Sequence, residues 1–300
     1  MHHHHQHGSS GSHRHGGKKN IKVAFFLNFF FTIIEIVGGL MTNSVAILSD
    51  ALHDLGDTLS LALAWYFQKI SIRGRDNTFS YGYKRFSLLG AIINSIILLV
   101  GSIFILIEAI PRLIQPQPSD AKGMIILAIL GVMFNAAAVI RLKGGASFNE
   151  KVVRLHLIED VMGWVAVLIG AVIMYFFDLP VIDPILSLLI SAYILLNVMK
   201  NLKHTFQIIL QGIPVNADVN AIKSYLAGIP QIEDYHDFHI WSMDGEYNIL
   251  TVHLVLNESL SMDQVNGLKS AIKENLVRKG VHHATIEFEN NQEKCALINC

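Results

Sequence analysis

The chain has 300 residues, 52% of them hydrophobic and only 16% charged, against roughly 45–50% and about 25% in a soluble domain. Lys plus Arg (23) nearly cancels Asp plus Glu (24), and the net charge of −1 gives nucleic acid no electrostatic footprint. Two cysteines at the extreme end, Cys295 and Cys300, cannot build a disulfide framework, and no Gly-rich phosphate loop points to nucleotide hydrolysis.

Residues 1–20 form a His-rich tail carrying His2, His3, His4, His5, His7, His13 and His15. Two readings stand. A His run before Gly-Ser-Ser-Gly-Ser resembles an expression tag, whereas the break at Gln6 and the later His13-Arg14-His15 favour a natural metal-gathering tail. Either way the segment is expected to be disordered and dispensable for the fold.

Residues 21–205 are read as a six-helix transmembrane domain. A helical span needs about 20 apolar residues, and six stretches qualify: Val23–Met41, Ser44–Phe67, Leu88–Ile110, Met124–Ile140, Leu157–Phe177 and Val181–Met199. The first is too long, and followed by too many others, to be a cleaved signal peptide. Basic residues set the orientation. Arg14, Lys18, Lys19 and Lys22 precede the first span; Arg73, Arg75, Lys84 and Arg85 follow the second; Arg141, Lys143, Lys151 and Arg154 follow the fourth. The other side has only Arg112 and Lys122. Both termini of this multi-pass protein are therefore expected in the cytoplasm, with lipid around its spans; a bacterial plasma membrane is the expected place, which the charges themselves do not specify.

Residues 212–292 read as a soluble α+β domain in the order α-β-β-α-β, a ferredoxin-like arrangement for metal binding and dimerisation. Val219, Ile222, Leu226 and Ile229 form a helical stripe ended by Pro230. Tyr235–Met243 and Tyr247–Leu256 flank Asp244-Gly245, a strong hairpin signal. A polar helix over Met262–Arg278 and a strand near Ala284–Glu289 complete the order, and residues 293–300 are a tail holding the two cysteines. So small a core is one that a second copy helps to bury.

The chemistry lies in the spans. An ionisable group there costs roughly 2.5–3.5 kcal/mol on insertion scales and needs a reason to be present. Span two carries Asp50, His53, Asp54 and Asp57; span five opens with His156, Glu159 and Asp160. His-x-x-x-Asp occurs in both, and four-residue spacing puts each pair on one helical face. Two such faces offer His53, Asp57, His156 and Asp160, a set suited to a tetrahedral divalent transition metal, Zn²⁺ above all. The bland reading is a polar network gluing helices, in which each bond is worth only about 1–2 kcal/mol; the duplicated ligand spacing argues against it. Asp54 and Glu159 fall off the shared face, toward a partner helix, a cavity or water. Asp50 is placed to hydrogen-bond His53, and Glu35 in span one reads as a satisfied packing partner. Binding needs neutral imidazoles and ionised carboxylates, so loading displaces protons and unloading takes them back, and histidine titrates near 6.5.

These residues resemble those of the cation diffusion facilitators. The matching strings are Ser49-Asp50-Ala51-Leu52-His53 through Asp57, Phe79-Ser80-Tyr81-Gly82-Tyr83-Lys84-Arg85, His156 through Asp160, Asp183-Pro184-Ile185-Leu186-Ser187, and His236-Asp237-Phe238-His239-Ile240-Trp241-Ser242. Together they cover residues 20–290. The resemblance implies a homodimeric, proton-coupled secondary transporter that exports Zn²⁺ from the cytoplasm by alternating access, and no enzyme. It implies cytosolic zinc ligands at His236, His253 and Glu287, with Zn²⁺ as a structural or regulatory ion there. From the residues alone these are cross-strand neighbours able to share a metal, or solvated strand histidines; His239, His282 and His283 are possible substitutes. Some members carry a further site in the loop after span two. Here that loop has Asp76 but no His, and Phe79 stands in the matching place, so the site is not carried over. Cys295 and Cys300, spaced Cys-x4-Cys, are looser than tight zinc pairs and read as a reduced cytosolic tail, the alternative being thiolates lent to a partner subunit's site.

The main rival from another class, an intramembrane zinc protease, would be expected to show His-Glu-x-x-His, and the string is absent. A metal sensor without transport would leave the duplicated intramembrane ligands unused. Fe²⁺ and Mn²⁺ are the competing cargoes, and carboxylate-richer sets would suit Mn²⁺ better.

Overall fold

The first apolar run stops at Thr42-Asn43-Ser44, where Asn43 takes a left-handed φ of +52° that asparagine tolerates better than most side chains. The turn separates α1 (Ser12–Thr42) from α2 (Val45–Ser71). Four more long helices follow: α3 (Phe86–Ile114), α4 (Ala121–Leu142), α5 (Phe148–Phe177) and α6 (Ile182–Ile209). The computed structural model describes residues 12–142, 148–257 and 259–290. Residues 1–11, with five of the expected tail's histidines, and the tail holding Cys295 and Cys300 lie outside the described residues. Helix α1 begins at Ser12, so residues 12–20 of the tail expected to be disordered are helical.

Among the described residues, four helices are long and apolar enough to cross a membrane: Phe86–Ile114, Ala121–Ile140, Arg154–Phe177 and Ile182–Ile209. The other two expected spans fall short for physical reasons. The described apolar part of α1 is only Asn28–Thr42, and α2 carries Asp50, Asp54, Asp57 and Lys69.

The chain forms two compact units, one running through Leu63 and again over Ile93–Lys200, the other over Ala64–Ile92 and from Asn201 onward. In the first, α1, α4 and α5 bury Phe31, Met124, Ala128, Trp164 and Val167 together. Phe31 stacks on Phe134 at 5.2 Å and meets the Trp164 edge at 5.5 Å, pairings that add about 0.5–1.5 kcal/mol each beyond area burial. A Cβ at Gly131 would overlap the Trp164 indole, so glycine is what lets α4 and α5 close here.

The start of α2 is fixed by a residue far away in sequence. Asp183, buried at the head of α6, accepts from Ser44 Oγ at 2.5 Å, from the Val45 N–H at 2.9 Å and from the Ala46 N–H at 3.3 Å. Its carboxylate thus caps the orphan amides and the positive end of the helix dipole. Arg112 holds the preceding turn, donating to the Asn43 carbonyl and to Asn43 Oδ1, both at 2.9 Å. One turn into α2, the Ser49 and Ser191 hydroxyls meet at 2.9 Å and tie it to α6.

In the second unit, α7 (Val219–Ala227) starts where the Asp218 carboxylate accepts from the Ala221 N–H at 2.9 Å, and it ends at Gly228, before the expected Pro230. Strands β1 (Ile232–Ser242) and β2 (Asn248–Leu256), helix α8 (Met262–Arg278) and strand β3 (Val281–Asn290) complete the α-β-β-α-β order. α8 opens on a capping box between Ser261 and Gln264. β1 pairs antiparallel with β2, and β2 pairs parallel with β3. Leu250, Val252, Leu254 and Leu256 alternate along β2 and bury one of its faces. β2 is the central strand, however, and its other face also buries Ile249 and His253. Ile222, Leu226, Ile272 and Leu276 from the two helices pack on Ile240, Leu250, Val252 and Leu254, each full burial contributing about 1.5–3 kcal/mol. The hairpin turns at Gly245, whose φ of +95° only glycine adopts freely, while Asp244 Oδ1 accepts from the Glu246 and Tyr247 amides.

Candidate metal centres

Helical phase brings the two His-x-x-x-Asp faces together as expected. Asp57 Oδ2 lies 2.9 Å from His156 Nε2 and 3.7 Å from His53 Nε2. Asp160 lies 4.0 Å from His53 Nε2 through Oδ1 and 3.9 Å from His156 Nε2 through Oδ2. The imidazole centroids are 5.8 Å apart. Donor atoms of His53, Asp57 and His156 all fall within 4.8 Å of one another. Bonds of about 2.0–2.1 Å in a tetrahedron put ligand atoms roughly 3.3 Å apart, and the observed separations bracket that figure. Although 2.9 Å is hydrogen-bond length, Asp57 Oδ2 and both Asp160 oxygens are buried without an aligned hydrogen bond among the described residues. Oxygens close to imidazole nitrogen yet not aimed along its N–H are what a common central cation would satisfy.

The neighbouring carboxylates divide. Asp54 is buried, and so is Asp50, whose Oδ2 finds no hydrogen-bond partner among the described residues. Glu35 is fully buried beside the Asp54 and Trp164 side chains, as a packing partner would be, although neither of its oxygens forms an aligned hydrogen bond among the described residues. Glu159 is exposed, and its Oε2 accepts from the Tyr193 hydroxyl at 3.4 Å.

Asp76, in the loop after α2, is occupied locally. Its Oδ1 accepts from the Thr78 and Phe79 amides at 2.8 and 2.9 Å, and its Oδ2 from the Tyr83 hydroxyl at 2.7 Å. These bonds, that from Tyr83 foremost, hold its carboxyl below the usual range, and the same bond raises the Tyr83 phenol. Phe79 packs edge-on against Tyr83, 4.6 Å between centroids. An Asx-type turn and an aromatic contact shape this loop.

The second cluster lies on the sheet. His236 pairs with His253 across β1 and β2, and His253 pairs with Glu287 across β2 and β3, so the three expected residues share one row. Glu287 Oε2 reaches His253 Nε2 at 3.4 Å. The sequence reading missed Glu289, which bridges both imidazoles: Oε1 is 2.6 Å from His253 Nδ1 and Oε2 is 3.3 Å from His236 Nε2. Glu289 is buried, whereas the Glu287 side chain is 65% exposed. Donor atoms of His236, His253 and Glu289 lie within 4.8 Å of one another. A register shift between His236 and His239, with Asp237 at φ +49°, bends β1 beside the cluster and brings Asp237 Oδ2 to 3.5 Å from His253 Nε2. The proposed substitutes are engaged elsewhere. His239 Nε2 meets Asp237 Oδ1 at 2.8 Å, His282 Nδ1 accepts from the Asn248 amide, and His283 meets the Tyr81 ring.

Comparison with known proteins agrees with this layout. Residues 21–210 match the family described as the cation efflux transmembrane domain, and residues 214–291 match the cytoplasmic domain of cation efflux proteins. A cadmium, cobalt and zinc/H⁺–K⁺ antiporter of Bacillus subtilis is 33% identical over 276 residues, 91% of this chain and 89% of its own length. The metal cation efflux system protein CzcD of Cupriavidus metallidurans is 33% identical over 94% of this chain and 90% of its own. The zinc transporter ZitB of Escherichia coli is 31% identical over 96% and 93%.

Proposed function

The chain belongs to the cation efflux family, membrane transporters rather than enzymes, and from that premise we propose that it is a proton-coupled secondary transporter exporting Zn²⁺ from the cytoplasm. The observation that carries the reading is the convergence of His53, Asp57, His156 and Asp160, two imidazoles and two carboxylates at separations suited to one tetrahedral ion. The transport site is these four residues. All of α1–α6 cross the membrane, with the charges of α2 turned to the ion path and compensated by it. Both termini are cytoplasmic, the membrane is the bacterial inner membrane, and two copies associate through their C-terminal domains. In that domain His236 and His253, with the neighbouring Glu287 and Glu289, hold a structural or regulatory zinc.

The exchange follows from ligand chemistry. A neutral imidazole and an ionised carboxylate bind the cation, and their protonated forms release it. Protons therefore compete with zinc for these ligands, and loading weakens as the pH falls. Cd²⁺ and Co²⁺, named for the Bacillus subtilis relative, are the competing cargoes. The test is Zn²⁺ flux in vesicles reconstituted with the full chain under an imposed pH gradient. Flux that reverses when the gradient is reversed is expected; zinc movement indifferent to the gradient would overturn proton coupling.

A further inference from the structure

Beside the four-residue site lies a cavity of about 250 Å³ lined by α2, α5 and α6. Its polar groups are Asp50, His53, Glu159, Asp160 and Tyr193, and the rest of the wall is small or apolar, with Gly163 and Ala166 on α5 facing leucines and isoleucines of α6. Two of the proposed ligands, His53 and Asp160, thus border an open space on the side where Glu159 stands. Glu159 is exposed and takes a hydrogen bond from the Tyr193 hydroxyl at 3.4 Å. The Tyr193 ring in turn stands 6.5 Å from the His53 ring, edge to face. Resting on the transporter reading, we propose that this cavity is a passage by which the ion reaches its site, and that Glu159, oriented by Tyr193, is the residue that captures the hydrated divalent cation and passes it to Asp160 and His53.

Several facts converge on this role. The adjacent ligand Asp160 is buried, whereas Glu159 beside it is exposed and lines the cavity, so of these two carboxylates Glu159 is the one that a cation entering through the cavity meets first. Helical phase separates neighbours by about 100°, which leaves Glu159 off the ligand face and free to turn toward Tyr193. An apolar wall lowers the local dielectric and focuses the field of the carboxylates that line the cavity, the geometry that raises local cation concentration and entry rates. An ionisable side chain within a span that is neither buried nor one of the four converging groups also calls for a function. Tyr193 supplies one long donor contact to Glu159 at 3.4 Å, which biases its direction without neutralising it.

The experiment measures initial Zn²⁺ uptake against free Zn²⁺ in vesicles holding the full chain, for the original protein and for Glu159→Gln, Glu159→Asp, Tyr193→Phe and Asp57→Ala. Glu159→Gln keeps the size and hydrogen bonding of the side chain and removes only its charge. It should raise KM on the order of tenfold with Vmax held within about twofold, and flatten the dependence of uptake on ionic strength. Glu159→Asp should restore most of the lost KM, and Tyr193→Phe should raise KM about twofold. Zinc bound per chain in detergent should be unchanged in Glu159→Gln, which separates capture from a damaged site. An unchanged KM in Glu159→Gln, a fall in Vmax at constant KM, or a KM defect that Glu159→Asp does not relieve would each overturn the proposal. Full flux in Asp57→Ala would instead overturn the transport-site reading.

Discussion

Asp57 on α2 and His156 on α5 approach to 2.9 Å between Oδ2 and Nε2, although 99 positions separate them in sequence and Asp57 Oδ2 forms no aligned hydrogen bond. The contact joins the two His-x-x-x-Asp motifs at one point, and that point is where the proposed cation would sit. Asp57→Ala should therefore lower Zn²⁺ flux at least ~100-fold, more than the 10–100-fold typical of losing a group that only supports a ligand. Asp160→Ala should do the same. Vesicle flux at saturating zinc, with chromatography to show an intact oligomer, is the check, and flux above a tenth of normal in either variant would remove that residue from the set.

On the sheet, Glu289 and Glu287 make opposed predictions. Glu289 is buried against both imidazoles, at 2.6 and 3.3 Å, whereas Glu287 is largely in water, 3.4 Å from one of them. Charge removal from a buried group touching two ligands costs more than from an exposed group touching one. In a background of Asp57→Ala with the seven tail histidines replaced by alanine, so that this cluster is the main remaining site, Glu289→Gln should weaken zinc affinity at least ~10-fold and Glu287→Gln less than ~3-fold. Calorimetric titration of the full chain measures both. The reverse ranking would make Glu287 the main carboxylate.

The contrast between those glutamates marks where the sequence stops being readable. Helical spacing of four is rigid, so His53 with Asp57 and His156 with Asp160 declare a shared face through spacing alone. Strand neighbours depend on register and on side-chain reach. His236, His253 and Glu287 share a row, yet the better bridging carboxylate sits two residues further along β3. The available signal was the Glu-x-Glu repeat at 287 and 289, since alternate strand residues share a face. Glu35 is a different case. Burial is predictable for a carboxyl within an apolar helix, but whether its oxygens find donors depends on which helix lies opposite, and that information is tertiary. The bend at Asp237, a non-glycine residue at positive φ, likewise has no signature in His236-Asp237-Phe238.

Asp76 organises its loop through three hydrogen bonds from Tyr83, Phe79 and Thr78, and its carboxyl is held below the usual value chiefly by the Tyr83 bond. A carboxyl lowered in the folded state contributes stability that is complete above its unfolded value, near 3.9, and is lost as pH falls through the lowered folded value. Protection of the Thr78 and Phe79 amides from hydrogen exchange should thus persist at about pH 5 and fade only well below about pH 4. Asp76→Ala should remove that protection at every pH and leave zinc stoichiometry unchanged. A bound ion lost in this variant would place a metal ligand in the loop after all.

The last expectation concerns selectivity at position 53. His53 supplies a neutral nitrogen that sits 3.7 Å from Asp57 and 4.0 Å from Asp160, so it already contacts both carboxylates of the set. His53→Asp makes that set one imidazole and three carboxylates, with a side chain shorter than the ring it replaces. The site becomes wider and more anionic, and an oxygen-rich, roomier site accepts a larger divalent ion with less strain than before. The Cd²⁺ to Zn²⁺ flux ratio should rise, on the order of tenfold, which needs only about 1.4 kcal/mol of differential binding. The pH response should move too. A carboxylate holds its charge to lower pH than an imidazole stays neutral, so zinc loading in the variant should reach further into acid and release fewer protons per ion. Paired Zn²⁺ and Cd²⁺ uptake curves at two pH values measure both effects on the same vesicles. An active variant with an unchanged ion ratio would mean that position 53 binds the cation without choosing it, and selectivity would then lie with Asp57, His156 and Asp160.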